Sequence, residues 1–473
     1  MTNKGFSKLG LKLLDAATDA APSVIPKIFE RAFVALFGGE IFYQFHQWKY
    51  RHQTRNIGDT SKILLIADVC IGDAVLMGQC LTILRELFPL SEIHYLCNRT
   101  GGELIDGIPG GITVHNIIRG VRGMPSVDDL ERLHSLLAKE SYTLILNMSP
   151  FIRERDLKVN RAILSKGEEK TRVIQMYVPF TTYTLRAWRM GGARHISWLA
   201  AIFFGQFFAS IRDDEPKETL NTTSPDSQSF NPNEVYLSRE SIEMAKAFLA
   251  ANNLTVGDRL LFFNPDATSS YGLIPFELQS QLLRNIVEMP GIHAVLLGTA
   301  YTDRLIEQRL LASLPDSLQQ KVVLVPFMPI EEYVALIDAC DMFVSGDTGP
   351  LHIAATRKIS ASGHSILRNR TAIVAIYGAT DSRMYGYDSG QPHHVPANQD
   401  APSRSFSAPA PCRNITCINK FGKSCKTVRC FDGLTAEEIS DYISSYFREK
   451  ACRPRISIPI IHQPETQYYY HNT

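Results

Sequence analysis

The chain has 473 residues, 45% of them hydrophobic and 21% charged, and its 49 lysines and arginines nearly balance its 48 aspartates and glutamates. The length predicts two or three domains, and the composition, typical of globular proteins, argues against long disorder, collagen or coiled coil. A net charge of +1 argues against a bulk nucleic-acid binder. Nine cysteines, an odd number, disfavour a secreted disulfide framework. With no secretory signal visible either, we expect a cytosolic protein.

Basic side chains concentrate in two stretches of this neutral chain. Residues 151–195 hold ten lysines and arginines against four acids, and residues 404–429 hold six against none. Such surfaces suit an acidic substrate or a membrane face better than a nucleic-acid duplex. The longest uncharged apolar stretch, Ile196 to Ile211, has 16 residues, short of the roughly 20 that span a bilayer.

The first half of the chain begins with an amphipathic arm and continues as an α/β pattern. Residues 1–60 place apolar side chains at helical spacing among lysines and arginines, which fits a membrane-interface segment or a cover for the first domain. The wholly apolar run from Lys62 to Ala67 is typical of a buried parallel strand. A helix is predicted over 73–88, and further strands over 93–97 and 144–146.

A second α/β block follows a polar linker at 213–234. Strands and helices alternate, which predicts a second parallel sheet and hence two Rossmann-like domains facing a central cleft. The last strand is expected at 372–377, and a C-terminal helix at 435–448 fits either block. The predicted strands are 260–263, 294–297, 322–325, 342–345 and 372–377, and the predicted helices are 275–288, 303–314 and 330–339.

The chain therefore divides into six predicted regions. They are an arm (1–60), a first Rossmann-like domain (61–212), the linker (213–234), a second Rossmann-like domain (235–400), a basic cysteine-rich segment (401–433) and a C-terminal helix with its tail (434–473).

Gly72 and Asp73 form the first candidate site, because they follow the first strand and open a helix. Glycine allows a substrate to approach closely, and a carboxylate at the carboxyl end of a strand can face the cleft. The alternative is that Asp73 is only a helix cap or a first-turn acid.

The second candidate site is the run SGDTGPLH at 345–352, where an apolar strand enters a turn of small residues and a helix begins with Pro350. The N–H groups and the dipole of such a helix start favour an anion, and His352 adds a donor suited to a diphosphate. The alternative is an ordinary helix start capped by Asp347 or Thr348.

Four cysteines within nineteen residues form the third candidate. Cys412, Cys417, Cys425 and Cys430 lie among basic residues, which fits a tetrahedral thiolate site for structural zinc or iron. Four protein ligands leave no open position for catalysis. The alternatives are reduced thiols or disulfides.

Two motifs are absent from the sequence. It contains no Asp-x-Asp, the usual metal-diphosphate clamp of many nucleotide-sugar enzymes, and no GxGxxG after the first strand, which argues against a nicotinamide oxidoreductase.

Taken together, these motifs resemble glycosyltransferase family nine, the heptosyltransferases of lipopolysaccharide assembly, over roughly residues 62–440. KILLIA with IGDAVLMGQCLTILRELFP resembles the opening of that family. NPDA, LLGTAYTD, IEEYVALIDACD, SGDTGPLHIAA and AIVAIYGATD follow its order and spacing. The resemblance implies a GT-B fold and an inverting, metal-independent transfer of heptose from an ADP-sugar to an acidic acceptor at the inner face of a bacterial membrane.

The resemblance also implies roles for individual residues. Asp73 would be the catalytic base, with Gly72, Arg153 and Arg155 on the acceptor side. The expected donor-binding residues are Thr268, Ser269, Ser270, Gly298, Asp347, Thr348, Gly349 and His352. In some members the cysteine-rich stretch resembles a metal finger.

The chain departs from the family at three places. Gly272 stands where members commonly carry a lysine, Asn147 stands where an acid is common, and residues 357–370 form a basic insertion. Arg368 or Arg370 in that insertion is a candidate substitute for the lysine, and a solvated loop is the alternative. These departures keep two other functions open. One is transfer of another nucleotide sugar into capsule, O-chain or protein, and the other is a non-catalytic nucleotide-binding protein.

Overall fold

A computed structural model describes the parts of the chain that carry the two sheets. The described residues are 61–67, 72, 75–76, 79–98, 112–118, 126–149, 171–176, 203, 237–267, 272–300, 305–357, 371–388, 402–408 and 429–451.

The N-terminal sheet has five parallel strands in the order β3-β2-β1-β4-β5. Helices α1 (Gln79–Leu87) and α2 (Val127–Lys139) cover its two faces. The strands are β1 (Lys62–Ile66), β2 (Glu92–Asn98), β3 (Ile112–Ile118), β4 (Leu144–Asn147) and β5 (Arg172–Gln175).

Strand β1 is apolar from Ile63 to Ile66 because both of its faces are buried. Ile63 and Leu65 pack in the cluster that contains α1, whereas Leu64 and Ile66 pack in the cluster that contains α2. A strand covered on both faces needs apolar side chains at every position, which is the pattern of a buried parallel sheet.

The C-terminal sheet has six parallel strands in the order β11-β10-β9-β6-β7-β8. The strands are β6 (Leu260–Asn264), β7 (Ala294–Leu297), β8 (Val322–Leu324), β9 (Met342–Gly346), β10 (Ala372–Tyr377) and β11 (Ser403–Ser407). The helices are α3 (Arg239–Ala251), α4 (Phe276–Glu288), α5 (Leu305–Ala312), α6 (Asp316–Gln319), α7 (Ile330–Ala339), α8 (Gly349–Thr356), α9 (Ser382–Tyr385) and α10 (Ala436–Ala451).

These helices divide between the two faces of the C-terminal sheet. Helices α3, α7 and α8 contribute to one apolar cluster, and α4 and α10 contribute to the other. The C-terminal helix therefore packs on the second block, which settles a point the sequence left open. Phe431, just before α10, lies so close over Gly378 that a Cβ atom there would stand 2.3 Å from its ring.

Both sheets follow one connection pattern. Numbered from its own first strand, each begins 3-2-1-4-5, which is the Rossmann order. The strand order reverses between β1 and β4 in the first sheet and between β6 and β9 in the second. Ligands of such sheets bind outside the carboxyl ends of the strands at this reversal.

The two halves exchange apolar side chains where they meet. Val75, from the region after β1, is buried in the cluster of the C-terminal sheet. Met384, from α9, is buried in the cluster of the N-terminal sheet together with α1 residues such as Leu81. The carboxyl ends of β1 and β9 are thereby held close to each other.

Most predicted elements are confirmed, with shifts at their ends. The helix expected over 73–88 is continuous in the description only from Gln79 to Leu87, although Gly72, Val75 and Leu76 are also helical. The expectation that the strand series ends at 377 is wrong, because β11 extends the sheet by pairing with β10. Within the described part, no helix is long and apolar enough to span a membrane.

Candidate functional site

Polar side chains meet where the C-terminal sheet reverses its order. Asn264 ends β6 and lies beside Ser345 of β9 in the strand register. The Asn264 amide nitrogen donates to the Ser345 hydroxyl at 3.0 Å and to the Thr348 hydroxyl at 3.3 Å, and the two hydroxyls lie 2.9 Å apart. All three side chains are buried. This triangle fixes the turn that leads from β9 into α8.

The start of α8 differs from an ordinary capped helix. Thr348 is the N-cap in an extended conformation (φ −140°, ψ 161°), but its hydroxyl points inward to Ser345 and Asn264, and no side chain caps the helix. Pro350 is the second helical residue, so the expectation that it comes first is wrong by one position. A helix start without a side-chain acceptor keeps the positive end of its dipole available to an anion.

His352 lies in the first turn of α8 and contacts side chains at both ring nitrogens. Its Nδ1 is 2.8 Å from the Tyr387 hydroxyl, and its Nε2 is 3.2 Å from Oδ1 of Asp347. His352 and Tyr387 are only 5% and 2% exposed. Burial, with the nearby charge of Asp347, raises the pKa of Tyr387 well above its ordinary value. The phenol is therefore protonated at every physiological pH.

Gly72 of the N-terminal half touches this helix start directly. A Cβ atom at Gly72 would stand 2.8 Å from Cδ2 of His352 and 3.1 Å from Cα of Gly349. Only glycine allows this approach without displacement of a neighbour. Asp73 itself lies outside the described residues, but its chain neighbour is in contact with the helix start of the other sheet.

Gly298 has a packing role in the structure. It follows β7, and a Cβ atom there would stand 2.6 Å from Cβ of Val325. Its carbonyl accepts a hydrogen bond from the buried Tyr333 hydroxyl at 3.1 Å. These contacts alone require a glycine, so its expected donor-binding role stays a prediction.

Gln279 ties together the two ends of the loop that contains three predicted donor residues. Its side-chain nitrogen donates to the carbonyls of Pro265 (3.0 Å) and Ile274 (2.6 Å). The carbonyl of Gly272 lies 3.3 Å from where a Cβ atom of Gly346 would be, so the loop end reaches the end of β9. Position 272 therefore lies near the site and, being glycine, contributes no cation there.

Several predicted site residues lie outside the described part of the chain. These are Asp73, Arg153, Arg155, Thr268, Ser269, Ser270, Cys412, Cys417 and Cys425. Cys430 is described and buried in the apolar cluster with α10. Arg357, which opens the predicted insertion, is buried and paired with Asp338 at 2.6 Å, so it serves the fold.

A second polar cluster lies at the opposite, amino ends of the N-terminal strands. Lys62 is paired with Glu92 at 2.9 Å and with Glu140. Burial alone would lower the pKa of Lys62, but its bonds to the two carboxylates raise it overall, and the Lys62 ammonium holds the pKa values of Glu92 and Glu140 below their usual range.

Two histidines extend this amino-end cluster. His94 contacts Glu92 through Nε2 at 2.7 Å, and its Nδ1 lies 2.8 Å from the Tyr142 hydroxyl and 2.7 Å from Nε2 of His115. Burial, with His94 close by, lowers the pKa of His115 to about 4. The ligand atoms of Glu92, His94 and Glu140 lie within 4.8 Å of one another, a spacing that suits a metal. The Lys62 ammonium already contacts both carboxylates, so the cluster is an ion-pair network.

The sequence analysis quoted Asn264 and Ser345 inside motifs without assigning them a role, and it missed Tyr387 and Gln279. The alignment of the two strand ends at the reversal could have indicated the first pair. No spacing signal connects Tyr387 to His352, because 35 residues separate them.

Residues 231–420 match the family described as glycosyltransferase family 9 (heptosyltransferase). The chain carries a glycosyltransferase family 9 domain. It is a glycosyltransferase, as the resemblance in its motifs implied. The match covers the C-terminal sheet and the site at its reversal. No curated protein matches the chain.

Solved structures show the fold of this glycosyltransferase. A glycosyl transferase family 9 protein from Veillonella parvula superposes with a TM-score of 0.55 at 16% identity, covering 82% of this chain and 98% of that one. The fold is GT-B, with two Rossmann-like domains. The ADP-heptose lipopolysaccharide heptosyltransferase II of E. coli aligns at 14% identity over 83% of this chain and 100% of that one, with a TM-score of 0.48. The iron-containing dodecameric glycosyltransferase TibC of enterotoxigenic E. coli aligns at 10% identity over 83% and 78%, with a TM-score of 0.42.

Proposed function

We propose that this glycosyltransferase transfers heptose, with inversion, from an ADP-heptose donor to an acidic acceptor of the lipopolysaccharide type. The observation that carries the proposal is the contact between Gly72, the neighbour of Asp73, and the helix start at Gly349 and His352. That contact supports a site in which the base, one residue after Gly72 in the chain, acts beside the diphosphate.

The donor diphosphate would bind at the start of α8. The triangle of Asn264, Ser345 and Thr348 holds the turn rigid, so that its backbone donors are in place before a ligand arrives. The helix dipole and an N–H donor of His352 supply positive potential as the diphosphate gains charge on leaving. The proposal therefore needs no catalytic metal. Thr268, Ser269, Ser270 and Gly298 are the further donor contacts we propose.

Asp73 would act as the base in a single displacement. Its carboxylate takes the proton of the acceptor hydroxyl while that oxygen forms a bond to the anomeric carbon. The bond from this carbon to the diphosphate oxygen breaks on the opposite face, and ADP leaves with the electron pair. Gly72, Arg153 and Arg155 would lie on the acceptor side, where two cations suit a phosphorylated or carboxylated lipid.

The test measures ADP release from ADP-heptose with and without heptose-deficient lipopolysaccharide. Acceptor-dependent release that falls about 10²–10⁴-fold in Asp73→Asn would support the proposal, since a missing general base has an effect of that size. Asp68→Asn is the matched control, because it removes a carboxylate five residues away in sequence and should keep the activity.

Two other outcomes would replace the proposal. Binding of ADP without transfer to any lipopolysaccharide would favour another nucleotide sugar, with capsule, O-chain or protein as acceptor. Gly272, which adds no cation beside β9, is the observation that keeps this alternative. Failure of ADP and ADP-heptose at millimolar concentration to raise the melting temperature would favour a non-catalytic protein.

A structural zinc or iron at Cys412, Cys417, Cys425 and Cys430 is a separate proposal. The donor set is four thiolates, a soft set that both metals accept in tetrahedral geometry. Metal analysis of protein purified without chelator tests it. About one metal per chain is expected, and a content near zero with four titratable thiols would contradict it.

We also propose a place for the enzyme, at the inner face of a bacterial inner membrane. The basic stretch at 151–195 and the amphipathic arm at 1–60 support peripheral contact. Sedimentation with anionic vesicles, weakened by salt, is the expected result, and equal binding to neutral vesicles would contradict an electrostatic contact.

A further inference from the structure

His352 presents two different edges to its surroundings. The edge with Nε2 and Cδ2 faces Asp347 and Gly72, where the two halves of the molecule meet. The edge with Nδ1 faces inward to the Tyr387 hydroxyl. Because the second edge faces Tyr387, the hydroxyl of that residue can affect a ligand at the Nε2 edge by fixing the orientation of the His352 ring.

The hydrogen-bond chemistry fixes the protons of this chain of groups. An ionised Asp347 carboxylate only accepts, so Nε2 of His352 must carry a proton. The Tyr387 phenol is protonated, because burial raises its pKa, and it can donate to an unprotonated Nδ1. In this arrangement Nε2 donates and Nδ1 accepts, so the bond at each ring nitrogen favours the same tautomer of His352.

A hydroxyl suits Nδ1 in either tautomer, because it can both donate and accept a hydrogen bond. A carboxylate or a carbonyl at this position could only accept. Among the described residues, Asp347 and Tyr385 also lie near the ring, and the ring centre of Tyr385 is 6.5 Å from that of His352.

We propose that Tyr387 is a positioning residue of the donor site. Its buried hydroxyl holds the His352 ring so that the edge with Nε2 faces the start of α8, where a diphosphate would bind. The inference rests on the proposed function, because it assumes a nucleoside diphosphate as the anion. It assigns the orientation of a ligand-facing histidine to a tyrosine that lies behind its ring.

The test compares Tyr387→Phe with Tyr377→Phe. Both remove one buried phenol hydroxyl from the same part of the fold, but the Tyr377 hydroxyl donates to the carbonyl of Tyr385 at 2.6 Å, not to His352. ADP is the probe, and its affinity is measured by calorimetry at pH 7. A hydrogen bond inside a folded protein is worth about fivefold. Tyr387→Phe should therefore weaken ADP binding by about that factor, and Tyr377→Phe should leave ADP affinity unchanged.

Two further measurements separate positioning from simple destabilisation. In a His352→Asn background, Tyr387→Phe should change ADP affinity no further, since its effect passes through the ring. Histidine ¹⁵N spectra of the ligand-free protein should show Nδ1 unprotonated and Nε2 protonated at His352, and this pattern should change in Tyr387→Phe only.

The proposal would be overturned by equal effects of the two tyrosine variants on ADP affinity, or by a further loss of affinity when Tyr387→Phe is added to His352→Asn. The ¹⁵N spectra also test the positioning role of Tyr387 if ADP fails to bind the unaltered protein. An altered His352 signal would then keep the positioning role while the proposed function fails, and an unaltered one would remove the positioning role itself.

Discussion

The two sheets share one strand order, but the main polar cluster of each lies at a different end. In the C-terminal sheet, Asn264 and Ser345 lie at the carboxyl ends of two strands, next to the turn that begins α8. In the N-terminal sheet, Lys62 and Glu92 form ion pairs at the amino ends, far along the strands from the cleft. The same topology therefore carries a candidate ligand site at the carboxyl ends of one sheet and an ion-pair network at the amino ends of the other.

The family match includes one of the two sheets. It runs from residue 231 to residue 420 and so covers the sheet whose strand ends hold the candidate diphosphate site.

The contact between the sheets offers the most disruptive test of this comparison. Gly72→Ala places a methyl group within 2.8 Å of the His352 ring and 3.1 Å of the Gly349 backbone. The base would be displaced from the donor site, and a displacement of about 1 Å can cost about 100-fold in rate. Steady-state kinetics should show a fall of this order in kcat with ADP affinity largely kept. Full activity in Gly72→Ala would mean that the contact does not govern catalysis.

Two buried asparagines, each at the carboxyl end of a strand in a different sheet, sharpen the comparison. Asn264→Ala removes the donor that bonds the Ser345 and Thr348 hydroxyls, an effect of about 1–3 kcal/mol on the turn and hence on ADP binding. Asn147 ends β4, where its amide bonds Gln175 and the backbone of Ser149. Asn147→Ala should lower the melting temperature but leave ADP affinity unchanged, as calorimetry can show. If Asn264→Ala and Asn147→Ala lost ADP affinity equally, the C-terminal sheet alone could not be the one that binds ADP.

The ion-pair network predicts a smaller effect on stability alone. Lys62→Met leaves Glu92 and Glu140 without their shared cation, and for partly exposed pairs the expected loss is about 1 kcal/mol. Chemical denaturation at pH 7 should show this loss, and ADP affinity should not change. Lys246→Met is the matched control, because it removes an exposed i,i+3 pair with Glu243. A larger effect in the control would contradict a role for the network.

A further prediction concerns the dependence of stability on pH. The pKa of His115 is lowered from 6.5 to about 4 in the folded protein, so the unfolded chain binds this proton first. The contribution of neutral His115 to the free energy of unfolding is present in full above pH 6.5 and is lost as pH falls from 6.5 toward 4. In His115→Asn, the denaturation midpoint should change less between pH 7 and pH 5 than it does in the unaltered protein. The same slope in the variant and in the unaltered protein would show that other groups dominate.

Apolar strands were the most predictable part of the molecule. Three elements have the predicted bounds: the strands at 294–297 and 372–377 and the helix at 330–339. In the two strands every position is buried, so an uninterrupted apolar run marks their ends. Strand β3 was missed because His115 and Asn116 interrupt its apolar run, and β11 because SRSFS reads as a loop. The turn at Asp347 and Thr348 was found from its residues. Tyr387 was not, since only the folded chain brings it to His352.

The exchange of Val75 and Met384 between the halves has a consequence for motion. Each side chain completes the apolar cluster of the sheet to which it does not belong. Separation of the two sheets would leave a cavity in each apolar cluster and expose both side chains to water. We therefore expect the cleft to open by a rotation of one half against the other that keeps Val75 and Met384 buried.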